Sequence, residues 1–231
     1  MKHVTIIQHT QSEWLGMLED HLEGRGIRFG YVRPFTGGAT LPKVEVIGDG
    51  LIMLGGGPWG SVSDPILPTL DEEVRLARAC LMLDKPVLGF DLGAQILAIA
   101  AEGRAEPAAF DCRLITAKRA EADALHGYLP DEMAMVRYGR DRACPPDYAT
   151  CLAVDDGGRP AIFQIGANAF GFIGNPGIRL AMIEDLIMEF EDSPADAAAL
   201  LPRIRQAKPA IDDALVPLMT GLMQATKWMD G

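Results

Sequence analysis

The stretch Gly89-Phe90-Asp91-Leu92-Gly93-Ala94-Gln95 joins an apolar run, Pro86 to Phe90, to a segment of strong helix formers, Ala94 to Ala101. The run has the length of a buried strand, and the helix follows with almost no loop between them. Asp91 therefore stands at the apex of a tight strand-to-helix elbow. Such an elbow holds its apical side chain over the carboxyl edge of a parallel sheet, above the free amides of the next helix.

Upstream of the elbow the pattern alternates. Val4 to Gln8 reads as a strand, Trp14 to Glu23 as an amphipathic helix ended by Gly24 and Gly26, and Arg28 to Val32 as a second strand. Leu51 to Leu54 forms a third strand that runs into Gly55-Gly56-Gly57-Pro58, where backbone can approach a ligand closely. Asp71 to Leu83 is a helix with acidic residues in its first turn, as the helix dipole favours. Right-handed crossovers between such elements build a doubly wound, mostly parallel α/β sheet, with the glycine loop and Asp91 on one edge.

Downstream, helical periodicity weakens. Short β-type runs appear at Arg113–Thr116, Met133–Tyr138, Cys151–Val154, Ile162–Ile165 and Phe170–Ile173, with a hairpin signal at Asp156-Gly157-Gly158. Ile178 to Phe190 is helical, Ser193-Pro194 carries the cap and first-position proline of another helix, and Asp212 to Met229 closes the chain. No repeat or flexible linker interrupts the pattern, which predicts one domain over residues 1–231. Residues 193–231 read as a helical extension packed on it.

The 231 residues are 48% hydrophobic, ample for a packed core. A net charge of -11 argues against a nucleic-acid or anionic-membrane surface. The four cysteines, Cys80, Cys112, Cys144 and Cys151, have neither CxxC spacing nor neighbouring histidines, so neither zinc nor a disulfide framework is indicated. The first apolar run is too short for a signal peptide and no segment approaches a membrane span, which points to the cytoplasm. No metal or other cofactor is expected.

Taken in order, Ile6-Ile7-Gln8-His9, Leu54-Gly55-Gly56-Gly57-Pro58, Asp84 to Phe90, Leu92-Gly93-Ala94-Gln95, Ala161 to Gln164 and Phe170 to Ile173 resemble the class I glutamine amidotransferases, particularly the glutaminase domain of GMP synthase. The likeness spans nearly the whole chain and implies their flavodoxin-like fold, with a small additional β region and a helical C-terminus. It also implies a Cys-His-Glu triad, in which an elbow thiolate attacks the glutamine amide, the histidine relays protons and the glutamate orients it. None of the three is present. The matching positions hold Asp91, Asn175 and Gly177, and a further Trp-His-x-Asp motif falls on Tyr138-Gly139-Arg140-Asp141, of which Asp141 alone remains.

The resemblance assigns the Gly56, Gly57 and Leu92 amides to an oxyanion hole and Gln95 to a glutamine pocket, so a small carboxylate or amide is the ligand class it implies. An aspartate does not replace the thiolate, because attack on an amide would give a mixed anhydride, higher in energy than a thioester. Asp91 has two readings: it caps the helix, or it belongs to a rebuilt site with Arg137, Arg140, Arg142 and Asp141, as a partner, base, cation ligand or nucleophile. The arginines also read as a solvated strand face. Gln95 reads equally as a structural residue, His9 as a support for the loops at the strand end, and the cysteines as inert. The implied role is a degenerate amidotransferase that binds a protein partner, such as one chain of a synthetase or transferase. The alternative is a diverged hydrolase or transferase using Asp91, or a small-molecule sensor.

Overall fold

A computed structural model describes residues 1–37 and 40–229. The elements run β1 (His3–Ile7), α1 (Met17–Glu23), β2 (Arg28–Val32), β3 (Gly50–Met53), α2 (Leu70–Met82), β4 (Val87–Phe90) and α3 (Leu92–Ala100). They continue with β5 (Arg104–Glu106), β6 (Asp111–Arg119), β7 (Glu132–Gly139), β8 (Arg142–Cys144), β9 (Thr150–Val154), β10 (Pro160–Ile165), β11 (Ala169–Phe172), α4 (Leu180–Glu189) and α5 (Ala197–Thr226).

Nine strands form one sheet in the order β2-β1-β3-β4-β11-β10-β9-β6-β7. The first five are mutually parallel and the rest antiparallel. The parallel part has the flavodoxin-like order, whose ligand edge lies at the carboxyl ends of the strands. This is the expected class I amidotransferase architecture with its added β region.

Alternation along the parallel strands divides the core. Val4, Ile6, Ile52, Leu54, Leu88 and Phe90 face α1 and the last half of α5, whereas Ile7, Leu51, Met53 and Val87 face α2 and α3. Both faces are covered, so these strands are apolar throughout, as parallel strands must be. A third cluster joins Val136 and Tyr138 of β7 to Ile183 and Leu186 of α4 and to Leu200 and Ile204 of α5.

Three boundaries differ from the sequence reading. The first helix begins at Met17 rather than Trp14, because Gly16 at φ 63° turns the chain just before it. Ser193-Pro194 does not cap a helix: Ser193 bonds instead to the Tyr138 hydroxyl at 2.5 Å, and the helix starts after Asp196. The two expected C-terminal helices are one 30-residue helix containing Pro202, Pro209 and Pro217. An interior proline costs about 3 kcal/mol in an isolated helix. Burial of Leu215, Leu218, Met219, Leu222 and Met223 against β6 and β7 offsets that cost. Strands β5 and β8, absent from the sequence reading, pair with each other.

The elbow is tight because two glycines permit it. A Cβ on Gly89 would collide with the Gly93 carbonyl, and one on Gly93 would land on the carbonyl oxygen of Met53. Gly93→Ala therefore sets a gain in helix propensity of about 1 kcal/mol against a backbone collision that no side-chain rotation relieves. The collision wins, with an expected net loss of about 3 kcal/mol in urea denaturation. Unchanged stability would mean that β3 and α3 can separate at this point.

Candidate functional site at the elbow

Asp91 occupies the turn between β4 and α3 at φ 48°, a strained conformation for a residue with a side chain. Its amide donates to the Phe172 carbonyl at 2.8 Å, which ties the apex to β11. Although it sits at the N-cap position, its side chain makes no capping hydrogen bond. The capping reading is thus replaced. The carboxylate is 4% exposed, neither oxygen has a hydrogen-bond partner, and the Arg137 guanidinium stands 3.7 Å away. A Cβ on Gly139 would meet all three carboxyl atoms within 2.9 Å, so Asp91 packs directly on the backbone at the end of β7. Burial pushes its carboxyl up to about 6, with Arg137 acting against the shift.

Arg137 is buried, with Nε and Nη2 hydrogen-bonded. It donates to Asp111 at 2.7 Å and to the carbonyls of Gly139 and Asp141. The other members of the arginine group diverge from Asp91. Arg142 pairs with Asp155 at 2.6 Å, while Arg140 bonds to the Asp64 carbonyl and stacks over Phe110. Arg137 and Arg142 are buried, so the solvated-face reading does not hold for them. Asp141, at φ 57°, turns its carboxylate into the loop before α2 and accepts the amides of Ser61, Val62 and Ser63 at 2.9 Å each. Burial alone would raise its pKa; these bonds outweigh it and hold the carboxyl below its ordinary range.

Gln95 joins the same loop, accepting from the Ser61 hydroxyl at 2.5 Å and donating to the Arg140 carbonyl at 2.8 Å. Gly56 packs on Leu92, and Gly57, at φ 55°, on Phe190. Asn175 bridges to Val136 of β7 and accepts the Gly177 amide at 2.8 Å, leaving its Nδ2 buried without a partner. Gly177 is wedged against α1: a Cβ there would come within 2.7 Å of Leu18 Cγ, and its carbonyl accepts the Met17 amide at 2.7 Å. A glutamate at this position has no room.

Sequence reasoning missed Glu13. It follows β1 by six residues, yet its carboxyl lies against Gly55, where a glycine Cβ would strike it. Burial pushes it up to about 8, the Asp91 charge adding to the shift while His9 and the Gly57 and Gly55 amides oppose it. Its only sequence signal was an acidic residue in a stretch that ends buried. His9 donates from one ring nitrogen to the Gly55 carbonyl at 3.0 Å and from the other to Glu73 at 2.7 Å. Two acceptors suit the imidazolium. Burial works against that charge and Glu73 outweighs it, so the pKa is raised.

The four thiols are free. Burial raises all of them, Cys80 to about 11 and Cys112 to about 12, which disfavours the thiolate that a surrogate nucleophile needs. Among the described residues no group of three or more His, Cys, Asp or Glu is arranged to hold a metal, and no helix is long and apolar enough to cross a membrane.

No family model and no curated protein matches the chain. Solved structures do. A glutamine amidotransferase from Methylobacillus flagellatus is similar over 97% of this chain and 95% of its own, at 20% identity and a TM-score of 0.80. One from Thermotoga maritima covers 98% of each chain at 21% identity and 0.79. A putative GMP synthase subunit from Thermoplasma acidophilum is more distant, with 16% identity, 90% of this chain, 98% of its own and 0.55. At these identities the likeness is one of fold.

The carboxyls of Glu13 and Asp91 give a pH test. Burial raises Glu13 from 4.5 to about 8, so the native state is expected to bind more protons across that window. Stability therefore falls as pH rises from about 4.5 to about 8, and Asp91 adds the same sign between 3.8 and about 6. Glu13→Gln is expected to exceed the parent by roughly 3–5 kcal/mol near pH 9 and to match it near pH 4.5, measured by urea denaturation. Parallel curves for the two proteins would exclude a raised Glu13.

Proposed function

We propose that this class I glutamine amidotransferase fold works without glutaminase chemistry, as a binding or regulatory subunit of another enzyme in the cytoplasm. The observation that carries the reading is the state of the three triad positions. Asp91 is a buried carboxylate held beside Arg137, Asn175 is committed to Gly177, and Gly177 has no space for a side chain.

Physical chemistry argues against amide turnover at this elbow. Carboxylate attack would need to form an anhydride and expel ammonia, and no group at position 175 titrates near neutral pH to protonate the leaving nitrogen. A carboxylate facing Arg137 is also held by the charge it would have to give up as a nucleophile. What persists is a buried glycine loop packed on a buried charged elbow, a rigid core beneath the surface a partner would meet. One similar structure is itself described as a GMP synthase subunit, which supports a synthetase or transferase as the partner.

Glu13 favours a second reading, a rebuilt site for a small carboxylate or amide. Two carboxyls differ in proton affinity, Glu13 against Gly55 raised to about 8 and Asp91 beside Arg137 raised to about 6, and the Asp91 charge contributes to the Glu13 shift. Such a separation suits one acid and one base. In this reading Glu13 donates a proton and Asp91 accepts one in a hydrolase or transferase reaction on a substrate more reactive than an amide. The sensor reading, with its ligand on Gly55 to Pro58 and the elbow amides, is disfavoured, because these residues are buried, Gly56 against Leu92 and Gly57 against Phe190.

Purified protein is expected to release no ammonia from glutamine above the rate of an Asp91→Ala control, and Asp91→Cys alone is expected to leave that rate unchanged. Ammonia release that Asp91→Ala abolishes would overturn the proposal. Co-purification from the source at a mass exceeding any homo-oligomer would identify the subunit role, and a homo-oligomer would favour the rebuilt site.

A further inference from the structure

A cavity of about 270 Å³ lies between residues of β5, β6, β7 and β8 and Arg159, which directly precedes β10. Four arginines line it, Arg113, Arg137, Arg142 and Arg159, against two carboxylates, Glu106 and Asp111. In a chain of net charge -11 that balance is reversed.

The carboxylates do not match the arginines one to one. Arg113 and Arg137 are register partners on β6 and β7, so their side chains leave the same face of the sheet side by side, where like charges repel. One carboxylate serves both: Asp111 takes Arg137 Nε at 2.7 Å and Arg113 Nε at 3.0 Å. Asp91 approaches Arg137 no closer than 3.7 Å. Glu106 pairs with Arg104 at 2.8 Å and Arg142 with Asp155 at 2.6 Å, which leaves Arg159 with no ion pair among the described residues. Donors are left over as well. Arg142 uses Nη2 alone, and Arg137 uses Nε and Nη2. Nε and Nη1 of Arg142 and Nη1 of Arg137 have no hydrogen-bond partner among the described residues, and none of the three is closed to water, although both side chains are at least nine-tenths buried. Guanidinium groups held in this way lose little further freedom when an anion takes their remaining donors.

We propose that this cavity binds the phosphate group of a small phosphomonoester, with its oxygens on Arg137, Arg142, Arg113 and Arg159. The number and origin of the donors select phosphate. A carboxylate offers two oxygens in one plane and is matched by a single guanidinium fork, whereas a phosphate presents three terminal oxygens and a second charge to cations that arrive from several strands. Two arginines sharing Asp111 and a third without a carboxylate leave the lining short of anionic charge, which a dianion supplies. The volume is at the small end for a ligand pocket, so the group esterified to the phosphate is small. The field of an acidic chain repels anions at long range, and the direct hydrogen bonds in the cavity therefore decide binding. Arg137 belongs both to this cavity and to the elbow, but the proposal does not rest on any role of the elbow.

The test is calorimetric titration of the full chain with inorganic phosphate, glycerol 3-phosphate, malonate and acetate, at low ionic strength and near pH 8, roughly where the phosphates are dianions. Both phosphates are expected to bind one to one with dissociation constants below about 1 mM, and malonate and acetate to bind at least about tenfold more weakly. Arg159 is exposed, so Arg159→Gln is expected to keep its melting temperature and to weaken phosphate by about threefold or more. Arg142→Lys keeps the charge facing Asp155 and removes the fork, with an expected loss of about tenfold in a variant whose melting curve shows that it is folded. Arg203→Gln removes the same charge from an exposed position on α5, outside the cavity, and is expected to leave the affinity unchanged. No binding of phosphate at millimolar concentration, malonate bound as tightly, unchanged affinity in both cavity variants, or equal weakening by Arg159→Gln and Arg203→Gln would overturn the proposal.

Discussion

A guanidinium buried at the end of β7 is the charge around which the elbow is arranged. Arg137 holds Asp111, two carbonyls of the following turn and, at longer range, Asp91. Taking that cation out of water costs several kcal/mol, which only a nearly complete set of anionic and carbonyl partners recovers. The constraint fixes the turn after β7, and through Asp141 and its three amide bonds it fixes the loop that precedes α2. Gln95 ties the same loop to α3. Strand, elbow and loop thus form one electrostatic unit.

A second line of charge runs parallel to the first. His9, held from behind by Glu73, pins the Gly55 carbonyl, and the Glu13 carboxyl lies against the same residue. The glycine loop is therefore gripped by side chains from the segment that follows β1, with Glu73 of α2 behind His9. Rigidity of this kind favours recognition, because a preformed surface spends less ordering entropy on binding.

Much of the parallel half of the fold was legible because strands covered on both faces are largely apolar, as Val4–Gln8, Leu51–Leu54 and Pro86–Phe90 are; Phe170–Ile173 read only as a short β-type run, and its parallel pairing with β4 did not show. Strands β5 and β8 were not legible, since three residues that include arginine and glutamate carry no period. The final helix read as two because prolines signal breaks locally, whereas the apolar stripe that overrides them is a tertiary effect. At the site, Asp91, Asn175 and Gly177 came from motif order alone. Arg137, Arg140 and Arg142 suggested a cluster by proximity in sequence, but the turn at Asp141 sends them in three directions. Glu13 lay beyond sequence reasoning because nothing local distinguishes a carboxyl that the fold will bury from one left in solvent.

The wedge of Gly177 against α1 has an evolutionary consequence under the proposed reading. With no Cβ at 177, the loop after β11 rests on Leu18 and hands its carbonyl to Met17. Any larger residue has to displace a helix as well as fill a position. Acquiring a glutamate there would require compensating changes in α1 first, and those changes confer nothing until a cysteine and a histidine are also in place. The contact acts as a ratchet: with the helix closed over the position, mutational paths to glutaminase chemistry cross unstable intermediates, and the scaffold is left to diverge toward other uses.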